Sequence, residues 1–230
     1  MGNKKTRKNS NYKGEYKTNS SQTKGKRSAD ERKNLIILIV CVSIAVLSVG
    51  GIIWGAIASH VPEIYYVEMD FGEYGTIVVE ADGSEAPKTA ANFYRLVKRG
   101  FYDGLTIFRA QKNFVIQGGK DDSVALTPIV GEFKENGYDN NISHTRGVIS
   151  MARTNDPNSA TSQFFITLDD SAKSSLDDRY AAFGRVVEGM DVVDKIADAI
   201  MKCPSDSMGF VSDSDAIKIV KMTVLKKYTK

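Results

Sequence analysis

In the stretch FRAQKNFVIQGG, Phe108 to Gly119, an arginine and a glutamine stand among residues that favour burial. Arg109 follows Leu105, Ile107 and Phe108; Gln117 follows Phe114, Val115 and Ile116 and precedes a glycine pair. Farther along, Gln163 and Phe165 repeat the combination of amide and ring. Buried arginine is costly unless paired or hydrogen-bonded. Amides this close to aromatics suggest hydrogen-bonding partners in a half-apolar groove, with the arginine as a permanently protonated fork of N–H donors. All five residues fall on apparent strands, where alternate residues share a face. An ordinary arginine on a solvent face beside core aromatics would give the same pattern.

Other chemistries lack their residues. There is no GxSxG, no P-loop, no GxGxxG and no HExxH. His60 and His144 are the only histidines, and Cys41 and Cys203 the only cysteines, so no metal site, cofactor site or disulfide framework is expected. The acidic pairs Asp121-Asp122, Asp169-Asp170 and Asp177-Asp178 fall in loop-like stretches and read as solvated turns. Asn141-Ile142-Ser143 is a glycosylation sequon by pattern only.

The groove residues need strands to hold them. Glu63 to Asp82 reads as two strands around the turn Gly72 to Gly75. Ala86 to Gly100 reads as a helix, with Pro87 near its start, Ala90, Phe93, Leu96 and Val97 on one stripe, and Gly100 at its end. LTIFRA, FVIQGG, GVISMAR, QFFITL and YAAFGRVV read as further strands, Met190 to Ile200 as a second amphipathic helix, and Ala216 to Leu225 as a closing strand. About eight strands, two helices and no βαβ alternation predict a mainly β fold: a closed eight-stranded antiparallel barrel capped by two helices. The loop Met201 to Asp215 has no assigned role.

The N-terminal part is of another kind. Leu35 to Ser59 is 25 residues without a charge, enough to span a bilayer. Residues 1–33 hold 11 of the 31 Lys and Arg and 3 of the 28 Asp and Glu, a net +8 that leaves the remainder at −5. The expected organisation is a disordered basic cytoplasmic tail over 1–33, one transmembrane helix over 34–59, and a globular domain over 60–230 outside the cell membrane. Cleavage at Ala56-Ile57-Ala58, as in a signal peptide, is the alternative; the apolar run is longer than a signal core. Gly51 and Gly55 form a GxxxG, weak by itself as a pairing motif. The mildly acidic globular part makes nucleic acid an unexpected partner.

Tyr102 to Gly119, then GVISMAR and SQFFITL, then LDDRYAAFGRVVEGMDVVDKI together resemble the three ordered sequence blocks of the cyclophilins, from about Tyr65 to Leu225. The resemblance implies an eight-stranded barrel capped by two helices and peptidyl-prolyl cis–trans isomerase activity, with proline-containing peptides and unfolded proteins as partners. It implies that Arg109 is the catalytic arginine, with Gln117 placed to orient it, and that Gln117 and Gln163 are the polar residues beside the proline pocket. Phe114, Val115, Phe165 and Leu176 would wall the proline pocket, and Ala152 and Arg153 would pair with the peptide backbone. Tyr180 stands where many relatives carry His, and Arg153 where many carry Asn. Ser175 stands where relatives that bind cyclosporin well carry Trp, so weak cyclosporin binding is expected. The alternative is a membrane-tethered module that binds proline peptides, as a chaperone does, with little catalysis.

Overall fold

The structure is a computed structural model and describes residues 61–229. The expected tail and apolar run over residues 1–59 lie outside them. Among the described residues no helix is long and apolar enough to cross a membrane.

Alternation of buried and half-buried residues builds the first hairpin: β1 (Ile64–Asp70) and β2 (Thr76–Asp82) pair antiparallel with Val67 opposite Val79 and Met69 opposite Ile77. The remaining strands are β3 (Thr106–Gln111), β4 (Val115–Gly118), β5 (Val148–Met151), β6 (Phe164–Thr167), β7 (Ala182–Glu188), β8 (Ile217–Lys218) and β9 (Lys221–Val224). They form one antiparallel sheet in the order β8-β3-β4-β6-β5-β7-β2-β1-β9.

Two expectations are corrected here. The closing strand is two strands, and no ladder joins β8 to β9, so the nine-stranded sheet is not a closed eight-stranded barrel. The cause lies in the residue pattern. Burial alternates through Ile217, Lys218 and Ile219, then Val220 and Lys221 are both exposed. At that interruption the chain changes partners: the Ile219 N–H donates to Leu105 O at 2.7 Å, whereas the Val220 N–H donates to Asp70 O at 2.8 Å. One segment thus occupies both edges of a curled sheet.

Helix α1 (Pro87–Lys98) begins with Pro at its first turn and lays Ala90, Phe93, Leu96 and Val97 on the core. Its N-cap residue Ala86 offers no side-chain acceptor. Buried Glu132 takes that role, accepting the N–H groups of Lys88 and Thr89 at 2.9 and 2.8 Å and the Thr89 hydroxyl at 2.7 Å. A carboxylate there satisfies orphan donors and meets the positive end of the helix dipole. Phe93 packs on Tyr102, Phe164 and Phe183, with ring centroids 5.4, 6.1 and 5.0 Å away. Truncating such a ring to Ala costs about 3–5 kcal/mol. Besides a four-residue helix α2 (Lys173–Leu176), the second long helix is α3 (Met190–Met201), which buries Val192, Val193, Ile196 and Ile200.

The period of two gives β4 and β6 two different faces. Ile116, Phe164 and Ile166 enter the main core. Val115 and Phe165 join a separate small cluster with Ala172 and Leu176, partly covered by Phe114, Ala152 and Tyr180. That second face carries the site.

Candidate active site

Three strands place three of the expected residues in one lateral row. Arg109 on β3 is opposite Gln117 on β4, and Gln117 is opposite Phe165 on β6. Strict alternation would not do this. Ile107 is fully buried in the core, so Arg109, two positions on, would turn inward as well. A β-bulge prevents it: Ile107 pairs with Gly118 and Arg109 with Gln117, leaving Phe108 as the extra residue. A bulge re-aims the side chains that follow it. Gly118 permits the close strand approach at this point, since a Cβ there would lie 2.6 Å from Thr106 O.

The guanidinium is held on several sides. Nη1 donates to Gln117 Oε1, Nη2 to Gln111 Oε1 and Nε to Met208 O, at 2.9, 2.9 and 2.8 Å. Its face lies 5.0 Å from the Phe210 ring centroid. Of the five guanidinium N–H groups, the two not used in these bonds are available to a substrate. Gln117 Nε2 in turn donates to Gln163 Oε1 at 3.0 Å. Partial burial lowers the Arg109 pKa from its ordinary value, opposed by nearby Tyr180 and Asp206. An arginine nonetheless stays protonated at neutral pH.

Arg109 borders a pocket of about 270 Å³. Phe114, Val115, Phe165 and Leu176 give it apolar walls, and Gln117, Ala152, Arg153 and Tyr180 complete the expected set. Pockets for drug-sized ligands run to roughly 300–1,000 Å³, so this one suits a single small ring. Gln163 is the exception among the expected residues: it lines an adjoining cavity together with Gln117 and reaches the site through that amide. Arg153 is anchored, its Nε and Nη2 donating to Arg179 O at 3.0 and 2.9 Å and its guanidinium lying 4.7 Å from the Tyr180 ring centroid. Tyr180 meets Phe165 edge-on at 5.5 Å.

Two groups of residues were not expected. Met208 and Phe210 line the same pocket, coming from the loop that had no assigned role. Their signal is an apolar Met-Gly-Phe run inside a Ser- and Asp-rich loop. The other group is His144 with Asp177. His144 is buried and stacks on Phe165 at 5.9 Å and 19°. Its Nδ1–H donates to Asp177 Oδ1 at 2.8 Å, and its backbone N–H donates to the same carboxylate at 2.7 Å. Burial pushes the His144 pKa down, more than the hydrogen bond to Asp177 and its charge restore, so the ring is neutral at pH 7. For Asp177, burial acts upward, but its bonds from His144 and Ser143 hold the carboxyl below the usual range. Asp177 is therefore not a solvated turn residue; it ties His144, behind Phe165, to the end of the helix that carries Leu176. Asp121 and Asp169 do serve turns, accepting from Ser123 N and Ser171 N two residues on, whereas exposed Asp170 accepts from Arg146 N, 24 residues away. Among the described residues no cluster of three potential metal ligands occurs.

The family model for cyclophilin-type peptidyl-prolyl cis-trans isomerases matches residues 66–224. A peptidyl-prolyl cis-trans isomerase of Acinetobacter baylyi is 37% identical over 180 residues, covering 76% of this chain and 92% of that protein. Peptidyl-prolyl cis-trans isomerase B of Escherichia coli is 39% identical over 129 residues, covering 54% and 79%. Among solved structures, a cyclophilin-type peptidyl-prolyl cis-trans isomerase of Cryptosporidium parvum is 25% identical, with a TM-score of 0.59 over 72% of this chain and 99% of that one. The same protein solved in the presence of the dipeptide Ala-Pro matches at 26% identity and a TM-score of 0.58, over 70% and 99%. Sequence blocks, curled sheet and the match over residues 66–224 agree, and the chain belongs to the cyclophilin-type peptidyl-prolyl cis–trans isomerases.

Proposed function

We propose that this isomerase acts on extracytoplasmic proteins from a membrane anchor, with Arg109 as its catalytic donor and the pocket beside it as the proline site. The observation that carries the reading is the row Arg109, Gln117 and Phe165, which sets a fixed cation against an apolar, ring-sized pocket.

The reaction needs little else. An Xaa-Pro bond turns over a barrier of about 18–20 kcal/mol because amide resonance must break. Uncatalysed, it takes tens to hundreds of seconds. No covalent bond to the protein forms and no net proton moves, so neither a nucleophile nor a titrating acid is required. Phe114, Phe165 and Leu176 hold the ring by apolar contact. In the twisted state the proline nitrogen regains a lone pair, and an Arg109 N–H donates to it. That bond is stronger in the twisted state than in the planar one, which is the condition for acceleration. Gln117, braced by Gln163, holds the fork in place. The Ala-Pro dipeptide used with the Cryptosporidium relative supports a proline-containing substrate.

Membrane anchoring rests on the charge-free run Leu35–Ser59 behind a basic tail. That run ends five positions before β1 begins at Ile64. Ser175 is exposed on α2 and presents no ring beside the pocket, which supports weak cyclosporin binding.

Exchange spectroscopy on an Xaa-Pro peptide with the full chain tests the isomerase site. Arg109→Ala is expected to slow catalysed exchange by about 10²–10³, the scale of losing one transition-state donor. Undiminished exchange would remove Arg109 from that role, and peptide binding without any acceleration would favour the binding module instead. Protease protection of the C-terminal domain in intact cells tests the orientation.

A further inference from the structure

The loop between α3 and β8 is built against the site rather than draped over the surface. Asp206 closes it into a tight turn: its carboxylate accepts the N–H groups of Met208 and Phe210 at 2.8 and 3.0 Å, and its own N–H donates to Phe210 O at 3.1 Å. The turn then lies antiparallel along β3 at the bulge. The Ala110 N–H donates to Gly209 O and the Val211 N–H to Phe108 O, both at 3.0 Å, with Arg109 paired opposite Phe210. The approach is close enough to require glycine. Gly209 has φ +82°, and a Cβ there would lie 2.3 Å from Ala110 O.

Everything this turn presents to β3 reaches Arg109 or its neighbour. The Met208 carbonyl accepts from Nε, the Phe210 ring covers the guanidinium face at 5.0 Å, and Phe108, the bulged residue, stacks on Phe210 at 5.9 Å and 14°. Gln111 and Gln117 hold the two remaining nitrogens. A long, flexible side chain is thereby fixed in plane and in rotation before substrate arrives.

We propose that the 206–211 turn is a positioning element of the active site, with Phe210 as a positioning residue that holds the Arg109 fork in its reactive orientation. The proposal rests on the isomerase reading above. It assigns to this loop a share of kcat rather than of peptide affinity. Orientation established in the free protein need not be established again at the twisted state. Phe210 is only partly buried and lies outside both apolar clusters, so replacing it opens no cavity in the core.

The test compares Phe210→Leu, which keeps apolar bulk but loses the ring face, with Phe210→Tyr, which keeps both. Exchange on an Xaa-Pro peptide gives kcat, titration gives the peptide Kd, and the Arg109 Nε–H resonance reports the bond to Met208 O without activity. For Phe210→Leu, kcat is expected to fall about tenfold, the scale of a partly desolvated cation–π contact. Its Kd should stay within twofold and its Nε–H signal should broaden into exchange with water. Phe210→Tyr should match the wild type in all three. Wild-type kcat in Phe210→Leu overturns the proposal, as does a loss carried wholly by Kd, or equal loss in Phe210→Tyr. If the wild type itself does not accelerate exchange, the isomerase reading fails instead. The Nε–H signal then decides: lost only in Phe210→Leu, it upholds the positioning; unchanged in both variants, it overturns it.

Discussion

Arg109 meets Gln117 directly across two neighbouring strands, Nη1 to Oε1 at 2.9 Å, and only the extra residue Phe108 makes that meeting possible. Without the bulge the guanidinium would be committed to the same face as Ile107, in the interior. One inserted residue therefore separates a charged group from the core and aims it at the groove.

Gln117 joins Arg109 to Gln163, so its loss should act on rate more than on affinity. Gln117→Leu removes the acceptor for Nη1 while roughly keeping the volume. We expect kcat on an Xaa-Pro peptide to fall about tenfold with Kd nearly unchanged, as for a small loss of orientation. Gln163→Leu, one bond farther away, should cost about two- to threefold by the same argument. Both are read by exchange spectroscopy over a peptide titration.

The pH dependence of catalysis should be nearly flat from about pH 5.5 to 8.5, because an arginine does not titrate there. Partial burial lowers Arg109 from its ordinary value but leaves it charged across that window. Exchange rates per folded molecule, measured at half-unit intervals, check this. A bell-shaped profile with an intact fold would call for a titrating group in the reaction.

Stability should behave differently. Burial holds the His144 pKa below its ordinary value of 6.5. Above that pH both folded and unfolded chains carry a neutral ring. Below it the unfolded chain binds a proton that the folded chain refuses, so this contribution is lost as pH falls from about 6.5 through the lower folded value. Asp177, held low, adds a loss only in the acid range below its ordinary value of 3.8. Urea midpoints should therefore decline between pH 7 and 5.5 in the wild type. They should decline less in His144→Gln, whose side chain does not titrate.

Glu132→Ala should destabilise the fold without touching the pocket. It leaves the N–H groups of Lys88 and Thr89 and a buried hydroxyl without their acceptor. The expected cost is about 2 kcal/mol, from the loss of a helix cap whose acceptor is charged. For a domain of this size that is a fall of roughly 4–8 °C in Tm. Calorimetry gives the shift, and the exchange rate of the folded variant should equal that of the wild type.

The sequence made the strands and both long helices legible because their apolar periods of two and 3.6 are local. It made the pocket walls legible because Phe114, Phe165 and Leu176 stand in ordered blocks. Three features escaped because each depends on distant partners. The bulge at Phe108 leaves the residue order on β3 unremarkable and shows only in the register against β4. The cap of α1 comes from Glu132, far beyond the helix, while Ala86 carries no capping group. Met208 and Phe210 lie in a loop whose polar composition suggests a free surface, yet its backbone pairs with β3. The division of the last strand was signalled by Ile219 and Val220, two consecutive apolar residues that break the alternation.

That division bears on how the chain is made. Residues 217–224 supply the partners for Thr106 and Ile107 at one edge of the sheet and for Val67 to Asp70 at the other. Synthesis proceeds from the N-terminus, so both edges are complete, unpaired and open to other chains before their common partner emerges. Completion of the sheet therefore waits on this one segment. Loss of residues 217–224 alone would leave two open margins on the same sheet, each a template for pairing with another chain.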